Sequence, residues 1–269
     1  MARWLVSFGY DGLPFAGWAR QPGLRTVEGE IRAGLVRCGE ASRPEEVTLE
    51  VASRTDRGVS ARANALLLTS RFGGDALLGV LNAIAPEIFF SGAAEVPDGF
   101  RARAARWREY RYFLRPEEPG LRSWPEWLPW FTGSPIDVRS FARGIDREGP
   151  TLRSIDAIEL TEGIGGAVLR LQASGFLWGM VRKIVSALRA TGSGAVAPGA
   201  LRAALAGRVR LAFPLAPPEP LVLWQVEHGV AWTHRPARWS RRQAGYFAEE
   251  LARARARSEV LPTLLPPAP

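Results

Sequence analysis

The segment 54–59 contains the residues best suited to chemistry, because it reads Arg-Thr-Asp-Arg-Gly-Val and places Asp56 between the guanidinium groups of Arg54 and Arg57. An alternating run at 47–51 precedes it and a short apolar run at 63–68 follows, as expected for two β-strands. Asp56 is therefore expected on a loop at a strand end, where the neighbouring arginines favour its ionised form. The competing interpretation is an ordinary turn, since Thr-Asp-x-Gly also suits turn formation.

The charge of the chain indicates the class of partner. Lys and Arg together number 35 against 27 Asp and Glu, which gives a net charge of +8, and Lys183 is the only lysine. Guanidinium groups bind phosphates with two hydrogen bonds and stack on bases, so this excess of arginine favours nucleic acid as the partner. A GC-rich genome is the alternative explanation, since it would also enrich arginine.

The scarcity of cysteine and histidine excludes several classes of site. Cys38 is the only cysteine, and His228 and His234 are the only histidines. A disulfide framework, a zinc site of the usual Cys/His kind and a His-centred catalytic triad are therefore not expected. No apolar run approaches the length of a membrane span, and the N-terminus has no signal-peptide pattern. We expect a cytoplasmic protein whose chemistry depends on carboxylates, tyrosine or arginine, without a metal.

The first part of the chain predicts a repeating order of elements. Thr26 is a typical N-cap for the first helix, and Asp75 is a candidate cap for the second. The predicted order is β-α-β-β-α-β, which is the ferredoxin-like split unit. The predicted strands lie at 4–10, 47–52, 63–69 and 88–95.

The second part of the chain predicts nearly the same order. Strands are expected at 107–115, 155–161, 167–173 and 221–228, with a helix starting at Ser134-Pro135, a glycine-rich hairpin turn at 163–166, a long helix at 177–190 and a short one at 198–206. The fold class is therefore α+β, with two ferredoxin-like halves and a cleft between them. The expected domains are 1–98, which carries the Asp56 loop, 99–230, and a C-terminal extension at 231–269. In that extension, 238–258 predicts a basic amphipathic helix before a Pro-rich tail.

The long helix carries an arginine whose role has two interpretations. Its apolar residues recur at helical spacing and form one stripe, and Arg182 lies off that stripe. A helix charge in this position is usually solvated. It can also be aimed into the cleft towards a carboxylate or a phosphate.

Six short motifs, taken together and in this order, resemble the tRNA pseudouridine synthase A family over about residues 4–228. Each motif alone is a weak signal, but six in the family's order are hard to obtain by chance. The motifs are Phe8-Gly9-Tyr10-Asp11-Gly12, Phe15-Ala16-Gly17-Trp18-Ala19-Arg20-Gln21, Arg54-Thr55-Asp56-x-Gly58-Val59, Phe100-x-Ala102-Arg103, Glu109-Tyr110-Arg111-Tyr112 and Met180-Val181-Arg182.

The resemblance implies a pseudouridine synthase fold, a homodimer, and cofactor-free isomerisation of uridines in the 3′ half of the tRNA anticodon arm. It implies that Asp56 is the catalytic aspartate, Arg182 its basic partner and Tyr110 the residue that stacks on the target base. It also implies substrate-binding roles for Arg54 and Arg103.

The chemistry suits these residue types independently of the family. Isomerisation of uridine requires breaking N1–C1′, rotating the base and joining C5 to C1′, for which one ionised carboxylate is sufficient as nucleophile or base. An aromatic face can hold the base once it has left its stack. Tyr110 and Tyr112 project to the same side of their strand, so the residues alone do not choose between them, and core packing is the usual fate of either.

The chain departs from the family's usual pattern at three places. Arg57 and the pair Ser60-Ala61 stand where alanine and His-Gly are common, and Trp178-Gly179 replaces a basic pair. These positions are expected near RNA, outside the isomerisation itself, so which uridines are modified stays open. The Trp-rich segment 124–130 is interpreted either as a lid or dimer contact, or as a loop packed on the core.

Two other functions are compatible with parts of the sequence. A non-catalytic RNA-binding protein would share the basic charge and the aromatic residues, but would not need Asp56 among arginines. A glycoside hydrolase would act on a sugar with carboxylates, but it requires a pair of them, and the sequence places no second carboxylate as well as Asp56.

Overall fold

A computed structural model describes residues 1–145, 151–163, 165–236 and 240–263 of the chain. Its elements in chain order are β1 (Ala2–Tyr10), α1 (Val27–Arg37), β2 (Leu49–Val51), β3 (Ser60–Ser70), α2 (Gly74–Asn82), β4 (Ile88–Glu95), β5 (Trp107–Leu114), α3 (Trp124–Trp127), β6 (Ile136–Asp137), β7 (Leu152–Arg153), β8 (Ala157–Gly163), β9 (Gly166–Ala173), α4 (Met180–Gly192), α5 (Pro198–Leu205), β10 (Leu221–Glu227) and α6 (Arg241–Thr263).

The fold is α+β, with one mainly antiparallel sheet that runs through both parts of the chain. Its strands lie in the order β4-β1-β3-β10-β5-β9-β8, and β2 pairs with one end of β3. The joint between the parts is the parallel pairing of β10 with β3, in which Leu223 lies opposite Ala61. On its other side Leu223 lies opposite Tyr110 of β5. This register brings the loop before β3, which carries Asp56, beside the strand that carries Tyr110.

The predicted elements of the first part are present in the predicted order. Thr26 is the N-cap of α1, since its Oγ1 accepts a hydrogen bond of 3.2 Å from the Gly29 N–H. Helix α2 differs in detail: its N-cap is Gly73, and Asp75 lies inside the first turn. A carboxylate there still interacts favourably with the positive end of the helix dipole.

The helix expected at Ser134-Pro135 is absent, and this prediction is wrong. The chain there enters strand β6, which pairs with β7 in a separate two-stranded sheet. Asp137 gives the physical reason, because its Oδ1 accepts a hydrogen bond of 2.9 Å from the Arg139 N–H and its Oδ2 accepts one of 3.1 Å from Thr151 Oγ1. Such local bonds between side chain and backbone compete with helix formation.

The Trp-rich segment 124–130 packs on the core, which decides between its two interpretations. Trp124 and nearby Phe131 are fully buried, and Trp127 is nearly so. Trp124 Nε1 donates a hydrogen bond of 3.1 Å to the Pro119 carbonyl oxygen. The segment therefore presents little apolar surface for a lid or a partner.

In the second part, the start of α4 and the end of the last strand differ from the predictions, whereas the hairpin agrees with them. Helix α4 begins at Met180, three residues after the predicted start at 177, because Gly179 before it has a left-handed φ of 71°. The predicted hairpin is present, since Gly163 pairs with Gly166; Ile164 in its turn lies outside the described residues. The last strand ends at Glu227, one residue earlier than predicted.

The C-terminal helix α6 is fixed to the first part of the chain by its N-terminal turns. Gln243 Nε2 donates hydrogen bonds to Asn82 Oδ1 at 2.9 Å and to the Ile88 carbonyl at 2.8 Å, and Tyr246 Oη donates to Asp11 Oδ2 at 2.7 Å. The helix was predicted over 238–258; residue 238 and the Pro-rich tail at 264–269 lie outside the described residues. Within the part of the chain that the structure describes, no helix is long and apolar enough to cross a bilayer.

Candidate active site

Asp56 lies in a tight turn just before β3, which confirms the turn interpretation and is compatible with a functional side chain. The Val59 N–H donates to the Asp56 carbonyl at 3.1 Å, and Gly58 takes a φ of 78°. The backbone closes this turn. The Asp56 side chain is therefore left to point away from it.

The sequence motifs at 8–12 and 15–21 pack against the Asp56 loop and support it. Tyr10 Oη and Thr55 Oγ1 are hydrogen-bonded at 2.8 Å in the core, and the Trp18 N–H donates to the Thr55 carbonyl at 3.1 Å. Gly17 has a φ of 103°, and a Cβ there would lie 3.0 Å from the Thr55 oxygen and 3.1 Å from the Arg57 nitrogen. Glycine at position 17 is thus required for the chain to approach the loop this closely.

The two oxygens of the Asp56 carboxylate have different donors. Arg182 Nη1 donates to Oδ2 at 2.9 Å, which makes a charge-assisted hydrogen bond across the cleft. Trp178 Nε1 donates to Oδ1 at 3.0 Å. The Asp56 side chain keeps 26% of its surface accessible, so the carboxylate is held in place while remaining open to a ligand.

Arg182 is itself held in place by the helix that carries it and by a backbone oxygen. It lies in the first turn of α4, its side chain is 12% exposed, and its Nε donates to the Ala216 carbonyl at 2.6 Å. The guanidinium therefore has one side fixed by the fold and the other directed at Asp56. Arg182 was expected either to be solvated or to point into the cleft. The structure shows that it points into the cleft and contacts a carboxylate.

Tyr110 and Tyr112 differ in their surroundings, although they share one side of β5. Tyr110 lines the pocket beside Asp56, and its ring meets the Phe176 ring edge to face at a centroid distance of 5.2 Å. Tyr112 is fully buried, and its hydroxyl donates to the Pro217 carbonyl at 3.1 Å. Arg189 lies over the Tyr112 ring at 5.4 Å. Only Tyr110 of the pair therefore faces the pocket.

The Tyr110 hydroxyl is neutral throughout the physiological range. Burial raises its pKa to about 12, against smaller lowering effects from its hydrogen bond with Ser53 and from the charge of Arg108. A buried phenol that keeps its proton offers an apolar ring and no charge to a ligand. This environment suits stacking better than proton transfer.

Arg54 and Arg103 have exposed side chains at the rim of the same pocket, together with Arg57. Glu50 Oε1 accepts a 3.0 Å hydrogen bond from the Arg103 N–H, which fixes the backbone at this rim. The structure thus brings all the sequence-predicted site residues to one pocket. The exposure of the rim arginines is suited to contact with a polyanion.

The pocket has a volume of about 760 Å³ and is lined by residues from both parts of the chain. Asp56 and the rim arginines give it a polar side. An apolar side is formed by rings and aliphatic groups that include Trp18, Phe176 and Leu177. A flat, partly polar ring such as a nucleobase has suitable size and chemistry for it.

Residues 133–228 match a family model described as tRNA pseudouridine synthase. The tRNA pseudouridine synthase A of Thermococcus kodakarensis is 40% identical to the chain over 221 residues, which cover 81% of this chain and 82% of that protein. The chain belongs to the tRNA pseudouridine synthase A family. It is similar as well to the proteins of that name from Pyrococcus furiosus, with 37% identity over 226 residues (83% of this chain and 82% of that protein), and from Methanocorpusculum labreanum, with 34% identity over 259 residues (96% and 90%).

As a member of the tRNA pseudouridine synthase A family, the chain is an isomerase. The motifs on which the resemblance rested lie around one site: the first two support the Asp56 loop, and the others supply Arg103, Tyr110 and Arg182.

Two pocket residues of this pseudouridine synthase family member were missed from the sequence. Trp178 was expected to be only near RNA, whereas it donates to Asp56. Arg108 was not identified, although it lines the pocket, and burial lowers the pKa of its guanidinium. It donates to Ser53 Oγ at 3.0 Å, to the carbonyls of Ala52 at 3.1 Å and Arg103 at 2.7 Å, and to the carbonyl of Ser174. The sequence did contain a signal for Arg108. It is a charged residue two positions from Tyr110 in the same strand, and therefore on the same side of that strand.

Proposed function

We propose that this protein isomerises uridine to pseudouridine in tRNA, with Asp56 as the catalytic carboxylate and without a cofactor. The observation that supports this most strongly is the Asp56 carboxylate, held by Arg182 and open to a pocket with an aromatic wall. Membership of the tRNA pseudouridine synthase A family supports the reaction, and the geometry supports the assignment of these residues.

The reaction places few demands on the protein. N1–C1′ breaks, the uracil turns within the pocket, C5–C1′ forms, and the proton on C5 is lost to solvent while N1 gains one. No atom is added and no oxidation occurs, so one carboxylate acting on the sugar suffices, as nucleophile or as base. Arg182 keeps that carboxylate oriented and balances its charge among the phosphates of the substrate.

The aromatic wall supplies the place where the detached base turns. Uracil must leave its stack before it reaches Asp56, and the Tyr110 ring, supported edge-on by Phe176, takes over that stacking. Tyr110 is fixed in the sheet, so it does not need to move when the base arrives. Its neutral hydroxyl adds no charge that would repel the base.

The exposed arginines at the rim hold the RNA backbone. Arg54, Arg57 and Arg103 surround the opening, and the whole chain carries a net charge of +8. We assign the substrate to the 3′ half of the anticodon arm because of the family resemblance. The same resemblance supports a homodimer. The strand order supports a fold of two ferredoxin-like halves, because the first strand of each half lies between its third and fourth strands. We also propose a cytoplasmic location, which a tRNA substrate favours.

A non-catalytic RNA-binding protein is the second candidate. It would share the basic rim and the aromatic wall, but Asp56 would then place a negative charge where phosphates approach. The elaborate support of that one carboxylate, through Tyr10, Arg182 and Trp178, favours the enzyme.

The test is release of tritium from unmodified tRNA labelled at uracil C5. Bond formation at C5 expels that atom, so we expect one tritium in water for each uridine converted. The same tRNA labelled at C6 is the control and should release none. Binding of tRNA without release from the C5 label would support the non-catalytic alternative and overturn the proposed function.

A further inference from the structure

Trp178 is unusually exposed for a tryptophan that makes a specific hydrogen bond. The residue is 55% exposed at the edge of the pocket, yet its indole N–H is directed at Asp56 Oδ1 with a separation of 3.0 Å. Tryptophan has a single donor and no acceptor. In this structure the indole N–H donates to Asp56, the carboxylate that the proposed function makes catalytic.

A carboxylate held by one donor keeps a freedom that a second donor removes. With Arg182 Nη1 alone on Oδ2, the torsion about Cβ–Cγ, which is broad for aspartate, is restrained by one hydrogen bond and still varies over the range of angles that this bond tolerates. The indole N–H on Oδ1 fixes the second oxygen and hence the plane of the group. Each oxygen keeps a further lone pair for the substrate.

Arg143 contacts both the indole ring and the backbone of Trp178. The Arg143 guanidinium lies 4.2 Å from the ring centroid, and the Arg143 N–H donates to the Trp178 carbonyl at 2.9 Å. Gly179 follows with a φ of 71°, where a Cβ would lie 2.7 Å from Leu215 Cδ2. The backbone on both sides of the ring is therefore constrained, although the ring is exposed.

We propose that Trp178 is a positioning residue for Asp56, whose indole N–H fixes the plane of the carboxylate while Arg182 fixes its other oxygen. This inference rests on the proposed function. Because indole carries no charge, Trp178 orients the carboxylate without changing the attraction of the site for phosphates. Its loss should therefore slow the chemical step and leave RNA affinity and its salt dependence unchanged.

Two substitutions separate the N–H from the ring. Trp178→Phe keeps an aromatic face and removes the donor. Trp178→His removes the larger ring, but Nε2 of histidine lies as many bonds from Cβ as Nε1 of tryptophan and can donate in its place. Trp130→Phe is the matched control, since Trp130 is also a tryptophan under an arginine, with Arg202 5.7 Å from its ring, and it lies outside the pocket lining.

Single-turnover tritium release and tRNA affinity are measured at about pH 8, above the ordinary histidine pKa of about 6.5. We expect Trp178→Phe to be slower by about 10- to 100-fold with unchanged Kd, and Trp178→His to recover most of the rate. Trp130→Phe should match the wild type, and melting temperatures confirm that all variants are folded.

The opposite pattern overturns the inference. If Trp178→Phe retains the wild-type rate, or if Trp178→His is no faster than Trp178→Phe, the indole N–H does not position Asp56. If the loss is in Kd, Trp178 is an RNA-stacking residue instead. Failure of the proposed function is distinguishable, because the wild type itself would then release no tritium.

Discussion

The hydroxyl oxygens of Tyr10 and Thr55 lie 2.8 Å apart in the core, directly beneath the loop that carries Asp56. Both residues are buried, so neither hydroxyl can turn to water if the other is removed. Tyr10→Phe should therefore leave the Thr55 hydroxyl unpaired and lower the free energy of unfolding by about 1–3 kcal/mol. Denaturant unfolding measures this change.

A double-mutant cycle tests whether the pair is the cause. Thr55→Val removes the other hydroxyl with little change in volume. The double variant Tyr10→Phe with Thr55→Val should be more stable than the sum of the single losses predicts, because no unpaired group is then buried. Strictly additive losses would show that the two hydroxyls are not coupled.

Truncation of Tyr110 should reduce activity, whereas truncation of Tyr112 should reduce stability. Tyr110→Ala should lose most activity per folded molecule, because base–aromatic stacking contributes about 1–3 kcal/mol. Tyr110→Phe, which keeps the ring, should retain most of it. Tyr112→Ala should chiefly lower the melting temperature, because that ring is fully buried and lies outside the pocket lining. The reverse pattern would transfer the stacking role to Tyr112.

The raised pKa of Tyr110 predicts an alkaline effect on stability. The folded protein holds this proton up to about pH 12, whereas the unfolded chain releases it at its ordinary pKa of 10.0. The stabilisation is complete below pH 10 and is lost as the pH rises from 10 towards 12. Unfolding free energies measured at about pH 9, 10 and 11 should therefore fall less in Tyr110→Phe than in the wild type. Equal falls would contradict the burial of this hydroxyl.

Much of the fold followed from local patterns, whereas the helix wrongly predicted at Ser134-Pro135 was decided by a contact farther along the chain. Thr26 at the start of α1 and the Gly163–Gly166 hairpin need only neighbouring residues, and both were predicted correctly. Ser134-Pro135 also reads as a helix start. The structure is decided there by Asp137, whose partners include Thr151, just before β7. A partner so far along the chain is not visible in a local window.

The site also contains features that neighbouring residues decide and contacts between residues far apart in the sequence. Turn chemistry placed Asp56 on its loop, and helix periodicity placed Arg182 off the apolar stripe of α4. The contact between them spans 126 positions, and the contact of Trp178 with Asp56 spans 122. The sequence could suggest the first contact through the charges of its partners. The contact of Trp178 with Asp56 could not be expected in this way, because an indole has no charge that would indicate a carboxylate partner.

Arg103 and Arg182 should respond differently to salt. Arg103 is exposed at the rim, so Arg103→Gln should weaken tRNA binding and reduce the slope of log affinity against log salt by about one unit. Arg182 is paired with Asp56 and 12% exposed, so Arg182→Gln should leave that slope nearly unchanged. It should instead slow the chemical step by about 100-fold or more. If Arg182→Gln keeps the wild-type single-turnover rate while the slope drops, Arg182 is a phosphate contact.

The most direct test of the central claim is single-turnover tritium release by Asp56→Asn, with tRNA affinity measured on the same preparation. Asparagine preserves the size of the side chain and removes its charge. We predict that release from the C5 label is abolished while binding is unchanged or tighter, because one negative charge has left a basic pocket. Substantial release by the purified variant would contradict the assignment of Asp56 as the catalytic carboxylate.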